Sequence, residues 1–252
     1  MLNLAFDGGA FHGWQVQPNG FTVQEALEQA IQRVTGTHSR VAGCSRTDAG
    51  VHARVFYCNF HTESNIGSEK IPAALNFYLP GQIAVRACRE VPQSFHARYD
   101  CAAKTYRYHL HNSAIRDPFL LKRATLEAFP LDVGMLHAQA RDFLGTHDFA
   151  AFCAAGSSVK NTVRTITRFD VLREGNEVYF CVKADGFLYN MVRIMAGTLL
   201  GIAKGKLPQH CIPGILESRD RHRAGVTAPA EGLMLWEVEY DRPIEGCMIE
   251  VK

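Results

Sequence analysis

The chain has 252 residues, of which 47% are hydrophobic and 21% are charged. This size and composition predict an ordinary globular protein with a sizeable core, and they exclude a disordered or low-complexity chain. The formal net charge is only +2, so the overall balance does not indicate a nucleic-acid partner and local charge has to be considered instead.

The first forty residues predict a strand, a loop and a helix. Leu2–Phe6 alternates as a strand does, and the glycines after it indicate a loop. Thr22 with Glu25 three residues later forms a capping box, and apolar residues then recur at helical spacing up to Gly36, a typical C-terminal cap. The start of the chain carries no basic, apolar export signal, so we expect a cytoplasmic protein.

Strands and short helices alternate along the rest of the chain. A helix is predicted over 71–79, beginning at Pro72, and another over 136–144, closed by Gly145. The apolar stretch 191–203 predicts a buried helix that is too short to span a membrane. The predicted strands are 55–60, 82–87, 104–111, 163–172, 177–184 and 233–240.

This interleaved pattern favours the α+β class over an all-helical fold. We predict two halves, 1–103 and 104–252, with the strand that starts at Lys104 opening the second half. The segment 112–130 has the weakest periodicity and is interpreted as a connection. The eight cysteines contain no Cys-x-x-Cys pair, which favours reduced thiols over a zinc ribbon or a redox motif.

The densest polar cluster is the segment from Gly43 to Ala53. It can be a simple turn, because Asp followed by a small residue and Gly commonly hydrogen-bonds its own backbone. The alternative is a first shell around an ionised nucleophile, in which Asp48 supplies the carboxylate, Arg46 a guanidinium and His52 an imidazole.

Arg193 lies inside the apolar stretch that predicts a buried helix. A buried guanidinium keeps its proton and needs an acidic or carbonyl partner. No Asp or Glu occurs between Asp185 and Glu217, so the partner has to come from elsewhere in the chain, unless the side chain extends to solvent. Pairing with Asp48 would satisfy the arginine and keep the carboxylate ionised.

Aromatic and basic residues on one strand are a common way of binding single-stranded RNA. Tyr106 lies in such a strand, although core packing is the ordinary role of a strand tyrosine. Arg164 and Arg168 are predicted to share one face of a strand by period two, which would suit phosphate contacts, although a solvated surface would explain either one.

The histidines suggest a metal site only weakly. His109 and His111 are predicted to share a strand face, and they could be joined by His52, His61 and His96. No tight ligand motif such as His-Glu-x-x-His occurs, so we expect no metal and no cofactor.

The cluster around Asp48 resembles the catalytic signature of the TruA-type tRNA pseudouridine synthases. Its letters are RTDAGVHA, and other segments resemble the family in the same order along the chain. They are FHGWQ, TVQEALE, FHAR, KTYRY, HDF, GFLYNMVR and APAEGL. The family usually has Tyr-Asp-Gly-Thr where this chain has Phe6-Asp7-Gly8-Gly9, and the tail from Arg242 matches nothing.

The resemblance implies the pseudouridine synthase fold, with two α+β halves of the ferredoxin or RRM type forming an extended mixed sheet around a central catalytic cleft. It implies an isomerase that acts as a homodimer on the anticodon stem-loop of tRNA, at positions 38, 39 and 40. Asp48 would be the catalytic carboxylate, Arg193 its partner, and Tyr106 the ring that stacks on the target uracil. The remaining implied contacts are Arg46 and His52 with RNA and Leu233 or Leu235 with the base.

Two other classes of protein remain open at the level of sequence. A noncatalytic RNA-binding module would explain the basic and aromatic residues, but it would give the Asp48 cluster and Arg193 no role. A metal-dependent hydrolase would use the histidines and would be inactivated by chelators.

Overall fold

The computed structural model describes residues 1–156 and 159–241. The chain divides into two compact units. Unit 1 comprises Met1–Ala102 together with the chain from Leu235 onward, and unit 2 comprises Ala103–Met234. Helices and strands interleave in both units, which confirms the predicted α+β class.

Unit 1 begins with a strand and two strand–helix alternations. Its elements up to residue 100 are β1 (Leu2–Phe6), α1 (Val23–Thr35), β2 (Ala42–Gly43), β3 (His52–Asn59), α2 (Ile71–Tyr78) and β4 (Ile83–Cys88). The predicted strands and helices of this region are all present, with ends that move by up to three residues.

Helix α1 shows how directly its ends follow from the sequence. Thr22 is the N-cap, and its hydroxyl accepts a hydrogen bond from the Glu25 amide at 3.3 Å. Gly36 ends the helix with φ of +80°, a conformation that glycine adopts without steric cost. The predicted capping residues are therefore confirmed at both ends of the helix.

Unit 2 contains three further helices. Its elements are β5 (Cys101–His111), β6 (Thr125–Leu126), α3 (Val133–Ala140), β7 (Gly145–Asp148), β8 (Val163–Glu174), β9 (Glu177–Ala184), α4 (Met191–Ala203) and α5 (Ile212–Ser218). Helix α4 has the predicted bounds and is almost entirely buried, whereas β6, β7 and α5 were not predicted because each is short.

Each unit contains a run of neighbouring strands. In unit 1 the strand order is β4, β1, β3 and then β10 (Leu233–Tyr240), with β2 paired to β3. In unit 2 the order is β5, β9, β8 and β7, and each neighbouring pair in this order is antiparallel. Strand β6 pairs with β5 in parallel. Strand β10 crosses the division, because Leu233 and Met234 group with unit 2.

The cores are built from large apolar side chains that are fully buried. Those of unit 1 are Leu2, Leu4, Leu27, Ile31, Phe56 and Leu75. Those of unit 2 are Leu110, Phe143, Phe149, Phe152 and Phe180, with Tyr108. Burial raises the pKa of Tyr108 above its usual range, so its hydroxyl keeps the proton that it donates to the Pro229 carbonyl at 2.9 Å.

The compact units and the predicted halves differ at the C-terminal end. The predicted second half runs to Lys252, whereas the chain from Leu235 onward groups with unit 1. The division into two functional halves stays a prediction. The tail from Arg242, with Cys247, lies outside the described residues.

The described part of the chain contains neither a disulfide nor a membrane-spanning helix. The seven cysteines found there form no disulfide with one another. No helix in residues 1–156 and 159–241 is long and apolar enough to cross a membrane.

Candidate active site

Asp48 lies in the loop that connects β2 to β3, and its side chain is partly exposed. The Val51 amide donates to the Asp48 carbonyl at 3.1 Å, which closes a turn over these four residues. Gly50 has φ of +81° within that turn, a conformation that favours glycine. The turn interpretation and the catalytic interpretation are therefore compatible, because the turn fixes the backbone that carries the carboxylate.

A second loop of unit 1 supports the Asp48 loop through main-chain contacts. The Trp14 amide donates to the Thr47 carbonyl at 3.0 Å, and the Gly50 amide donates to the Phe11 carbonyl at 3.4 Å. Gly13 has φ of +85°, and a Cβ there would lie 2.7 Å from the Thr47 carbonyl oxygen. Only glycine lets the two loops approach this closely.

Trp14 fixes the supporting loop to the core of unit 1. Its ring is 3% exposed and stacks on Phe56 with centroids 4.1 Å apart. The ring also fills the space beside Gly43, where a Cβ would lie 2.6 Å from it. The loop that supports Asp48 is thus anchored by a packed aromatic ring.

His52 is buried beneath the same loop, at the start of β3, with 2% of its surface exposed. Its Nδ1 accepts a hydrogen bond from the Gly8 amide at 3.1 Å and lies 3.0 Å from Asp7 Oδ1. Asp7 Oδ1 also accepts from the Gly9 amide at 2.9 Å. The imidazole therefore joins the end of β1 to the base of the Asp48 loop.

Replacing His52 is expected to destabilise this junction. His52→Ala leaves the Gly8 amide without its acceptor, so the free energy of unfolding should fall by about 1–3 kcal/mol, measured by urea denaturation. The matched control is His38→Ala, because His38 Nε2 is 3.7 Å from Glu28 Oε2 and its side chain is 62% exposed. The control should change stability by less than about 0.5 kcal/mol.

Tyr106 is the second predicted site residue, and it lies in β5 of unit 2 opposite Val182 of β9. Its ring meets Phe187 edge-on, with centroids 5.0 Å apart and an interplanar angle of 86°. Only 5% of Tyr106 is exposed. This edge-to-face packing fixes the orientation of the ring plane.

Arg193 lies in the first turn of α4 and is partly buried. Its Nε donates to the Ala228 carbonyl at 2.8 Å, and its Nη1 donates to Asn190 Oδ1 at 2.7 Å. Asn190 has φ of +60°, which Asn tolerates better than most residues. A carbonyl from a distant segment thus supplies one partner that the sequence requires.

The segment that partners Arg193 packs directly on α4. A Cβ at Gly197 would lie 1.8 Å from the Val226 carbonyl oxygen, and the Gly225 amide donates to Thr198 Oγ1 at 2.9 Å. Arg221 holds the same segment, donating to the Gly225 carbonyl at 2.9 Å. The guanidinium of Arg193 is therefore oriented by a tightly fitted main chain.

Comparison with known proteins identifies the family of the chain. The sequence profile of the tRNA pseudouridine synthases matches residues 4–100 and 139–241. The chain belongs to this family. Tyr106 lies between the two matched ranges, so its assignment rests on the resemblance of the KTYRY segment and not on the profile.

Bacterial relatives match along nearly the whole chain, and each is named tRNA pseudouridine synthase A. The protein of Acetivibrio thermocellus is 47% identical over 95% of this chain and 98% of its own length. That of Brevibacillus brevis is 46% identical over 94% and 97%, and that of a Thermoanaerobacter species is 43% identical over 95% and 98%.

The other residues predicted for the site differ in exposure. Arg46 is exposed near Asp48 in the sequence, whereas Leu233 and Leu235 in β10 are only 5% and 0% exposed. His52 accepts from the Gly8 amide, which supports a role in positioning the loop, and the direct RNA contact that the resemblance implies stays a prediction.

The prediction that Arg164 and Arg168 share one face of a strand is wrong. Ile166 of β8 pairs with Ala184 of β9, and Arg168 pairs with Lys183. Between these two pairs β8 advances by two residues and β9 by one, so β8 contains a bulge. Such a bulge reverses the alternation of side chains. Arg164 therefore lies on the buried face with Ile166, and Arg168 lies on the opposite face, where it pairs with Asp170.

Two of the histidines considered above as metal ligands contact a carboxylate side chain. His109 Nε2 and His111 Nδ1 each lie 2.6 Å from an oxygen of Glu177, across the β5–β9 pair. In the residues that the structure describes, no group of three His, Cys, Asp or Glu side chains is placed to hold a metal ion.

Proposed function

We propose that this chain isomerises uridine to pseudouridine at positions 38, 39 and 40 in the anticodon stem-loop of tRNA, acting in the cytoplasm as a homodimer. The observation that carries the proposal is Asp48, held by main-chain contacts in the loop that resembles the catalytic signature of the family. The family match and the names of the relatives support the substrate and the reaction.

The reaction needs neither an oxidant nor an external energy source. The bond from C1′ to N1 of the uracil breaks, a bond from C1′ to C5 forms, C5 loses its proton, and N1 gains one. An ionised carboxylate at the reacting sugar and base can serve this exchange as a nucleophile or as a base. We assign that role to Asp48, which is partly exposed at the turn.

The target nucleotide has to leave its stack before the carboxylate can reach it. Unstacking costs a few kcal/mol, which stacking on an aromatic ring offsets. We assign this stacking to Tyr106, whose plane is fixed by Phe187. Leu233 and Leu235 are proposed to complete an apolar surface for the uracil.

We propose different roles for the arginines of the site. Arg193 is proposed to pair with Asp48, in addition to its bonds to Ala228 and Asn190. Arg46 is exposed and is proposed to contact RNA. Of the two strand arginines, Arg164 donates to the carbonyls of Asn161 and Val163, and Arg168 is paired with Asp170, so any phosphate contacts they make are on different faces.

The proposed homodimer is supported by exposed apolar side chains in the connection between β5 and β6. Ile115, Phe119 and Leu121 are 77%, 85% and 71% exposed. Three large apolar side chains exposed within seven residues of chain would suit an interaction site if they form one patch. Sedimentation velocity of the whole chain tests the proposal, and a monomer at micromolar concentration would contradict it.

One experiment distinguishes the three candidate functions. Unmodified tRNA is incubated with the protein, digested to nucleosides and analysed for pseudouridine, with and without a chelator. We expect pseudouridine in both samples, mapped to positions 38–40. RNA that is bound but unchanged would indicate a noncatalytic module. RNA that is cleaved without the chelator and stays intact with it would indicate a metal-dependent hydrolase.

The positioning role of His52 is tested with the same assay at a temperature where His52→Ala remains folded. Loss of the contacts to Gly8 and Asp7 loosens the loop that carries Asp48, so kcat should fall about tenfold. KM for tRNA should stay within about twofold, because the role tested here is positioning of the loop and not contact with RNA. A change in KM alone would favour direct contact instead.

A further inference from the structure

Tyr99 is an exposed aromatic residue in the turn that precedes β5, and 74% of its surface is accessible. Its ring packs on the imidazole of His96, with centroids 4.2 Å apart and an interplanar angle of 36°. The Arg98 guanidinium lies 5.8 Å from the centre of the same ring. The turn thus presents one phenol ring that is supported by an imidazole and flanked by a cation.

The turn is fixed to the sheet of unit 1 through Ala97, which is fully buried. The Ala97 amide donates to Asn59 Oδ1 at 2.8 Å, and its carbonyl accepts from the Tyr240 hydroxyl at 2.7 Å. Burial raises the pKa of Tyr240 above its usual range, so the hydroxyl remains a donor. The backbone that carries Tyr99 is therefore ordered before any ligand binds.

Hydrogen bonds within the turn also set the side chain behind Tyr99. His96 Nδ1 accepts from the Arg98 amide at 3.1 Å, which assigns the proton to Nε2. The His96 amide donates to Asp100 Oδ2 at 2.9 Å, so the Asp100 carboxylate is bonded to the backbone of the turn. The imidazole is held in place beneath the phenol ring.

An exposed ring on a rigid, cationic support suits one ligand chemistry in particular. A nucleobase stacks on a tyrosine at about 1–3 kcal/mol per base, and a neighbouring arginine neutralises phosphate. Preorganisation lowers the entropy cost of binding. We infer that Tyr99 stacks an unpaired base of tRNA, separate from the uridine that is isomerised, with Arg98 at the adjacent phosphate.

This inference rests on tRNA being the substrate, and it adds a binding residue outside those assigned above. Tyr99→Ala should weaken binding of unmodified tRNA about tenfold, measured by filter binding, whereas Tyr99→Phe should bind like the wild type because stacking does not need the hydroxyl. The matched control is Phe77→Ala, since Phe77 is an aromatic of unit 1 that is 81% exposed on α2. The control should leave the affinity unchanged.

A salt titration of tRNA binding distinguishes the contribution of the Tyr99 ring from that of the Arg98 charge. Arg98→Gln should reduce the slope of log affinity against log salt by about one, whereas Tyr99→Ala should leave that slope unchanged. Equal tRNA affinity of Tyr99→Ala and wild type would overturn the inference. A change in the sedimentation coefficient of Tyr99→Ala without RNA would also overturn it, because the ring would then contact a second copy of the chain.

Failure of this inference is distinguishable from failure of the proposed function. If the wild type forms pseudouridine and Tyr99→Ala binds tRNA normally, only the stacking contact is wrong. If tRNA binding depends on Tyr99 but no pseudouridine forms, the contact stands and the proposed isomerase activity is wrong.

Discussion

Asp48→Asn is expected to lower the rate of pseudouridine formation by roughly a thousandfold or more. The amide keeps the size of the side chain but carries no negative charge, so it is neither a nucleophile nor a base, and losses of this order follow removal of such a group. Release of tritium from C5 of labelled uridine in tRNA measures the rate. The fold should persist, because main-chain hydrogen bonds hold the loop.

The control for this charge removal is Asp132→Asn. Asp132 is exposed and caps α3 by accepting from the Met135 amide at 3.0 Å. Asn is as good an N-cap as Asp, so stability and rate should both match the wild type. Turnover by Asp48→Asn close to that of Asp132→Asn would remove Asp48 from the chemistry.

Arg193→Met should lower the rate by about a hundredfold or more, the range seen when a charge-stabilising donor is removed. The substitution also removes the donors to the Ala228 carbonyl and to Asn190, so the free energy of unfolding should fall by about 1–3 kcal/mol. Rates are therefore measured well below the melting temperature, together with urea denaturation of the same sample.

Arg221→Met separates the structural loss from the catalytic one. Arg221 donates to the Gly225 carbonyl and to Thr227 Oγ1, in the same segment that Arg193 holds, so its loss should cost similar stability. The proposal gives it no catalytic role, and its rate should stay within about threefold of the wild type. Equal rate losses in the two variants would mean that Arg193 serves only to fix the segment.

The predicted pairing of Asp48 with Arg193 can be tested by measuring the rate of a double variant. Groups that act as one unit give losses that do not add. If the two pair in the reaction, Asp48→Asn with Arg193→Met should be about as slow as Asp48→Asn alone. A double variant whose loss equals the product of the single losses would contradict the pairing.

Sequence predicted best those features that depend on neighbouring residues. Thr22 and Gly36 fixed the ends of α1 because capping uses side chains and φ angles within one turn. The apolar run 191–203 became α4 with the same bounds, because a continuous apolar run is also a local feature of the sequence. Short elements such as α5, with seven residues, carry too few apolar repeats to stand out from a loop.

Features that depend on distant backbone could not be predicted from residue types. The Ala228 carbonyl holds Arg193 from 35 residues away, and carbonyls are present at every position, so counting acids could not find it. Asp7 meets His52 across two strands, and only the fold brings them together. The bulge between Ile166 and Arg168 leaves no trace in the alternation of letters, and it separated two arginines that period two had placed together.

Besides the His52 imidazole, the support beneath Asp48 consists of peptide groups touching peptide groups: Trp14 with Thr47, Gly50 with Phe11, and Gly8 with the Val51 carbonyl. Every residue type except proline offers a peptide N–H and carbonyl, so the carboxylate's location is insulated from changes in the outward-pointing side chains at positions where glycine is not required. Ala49, which is exposed next to Asp48, is accordingly a suitable anchor for a fluorescent or spin label that reports on tRNA docking without displacing the reacting group.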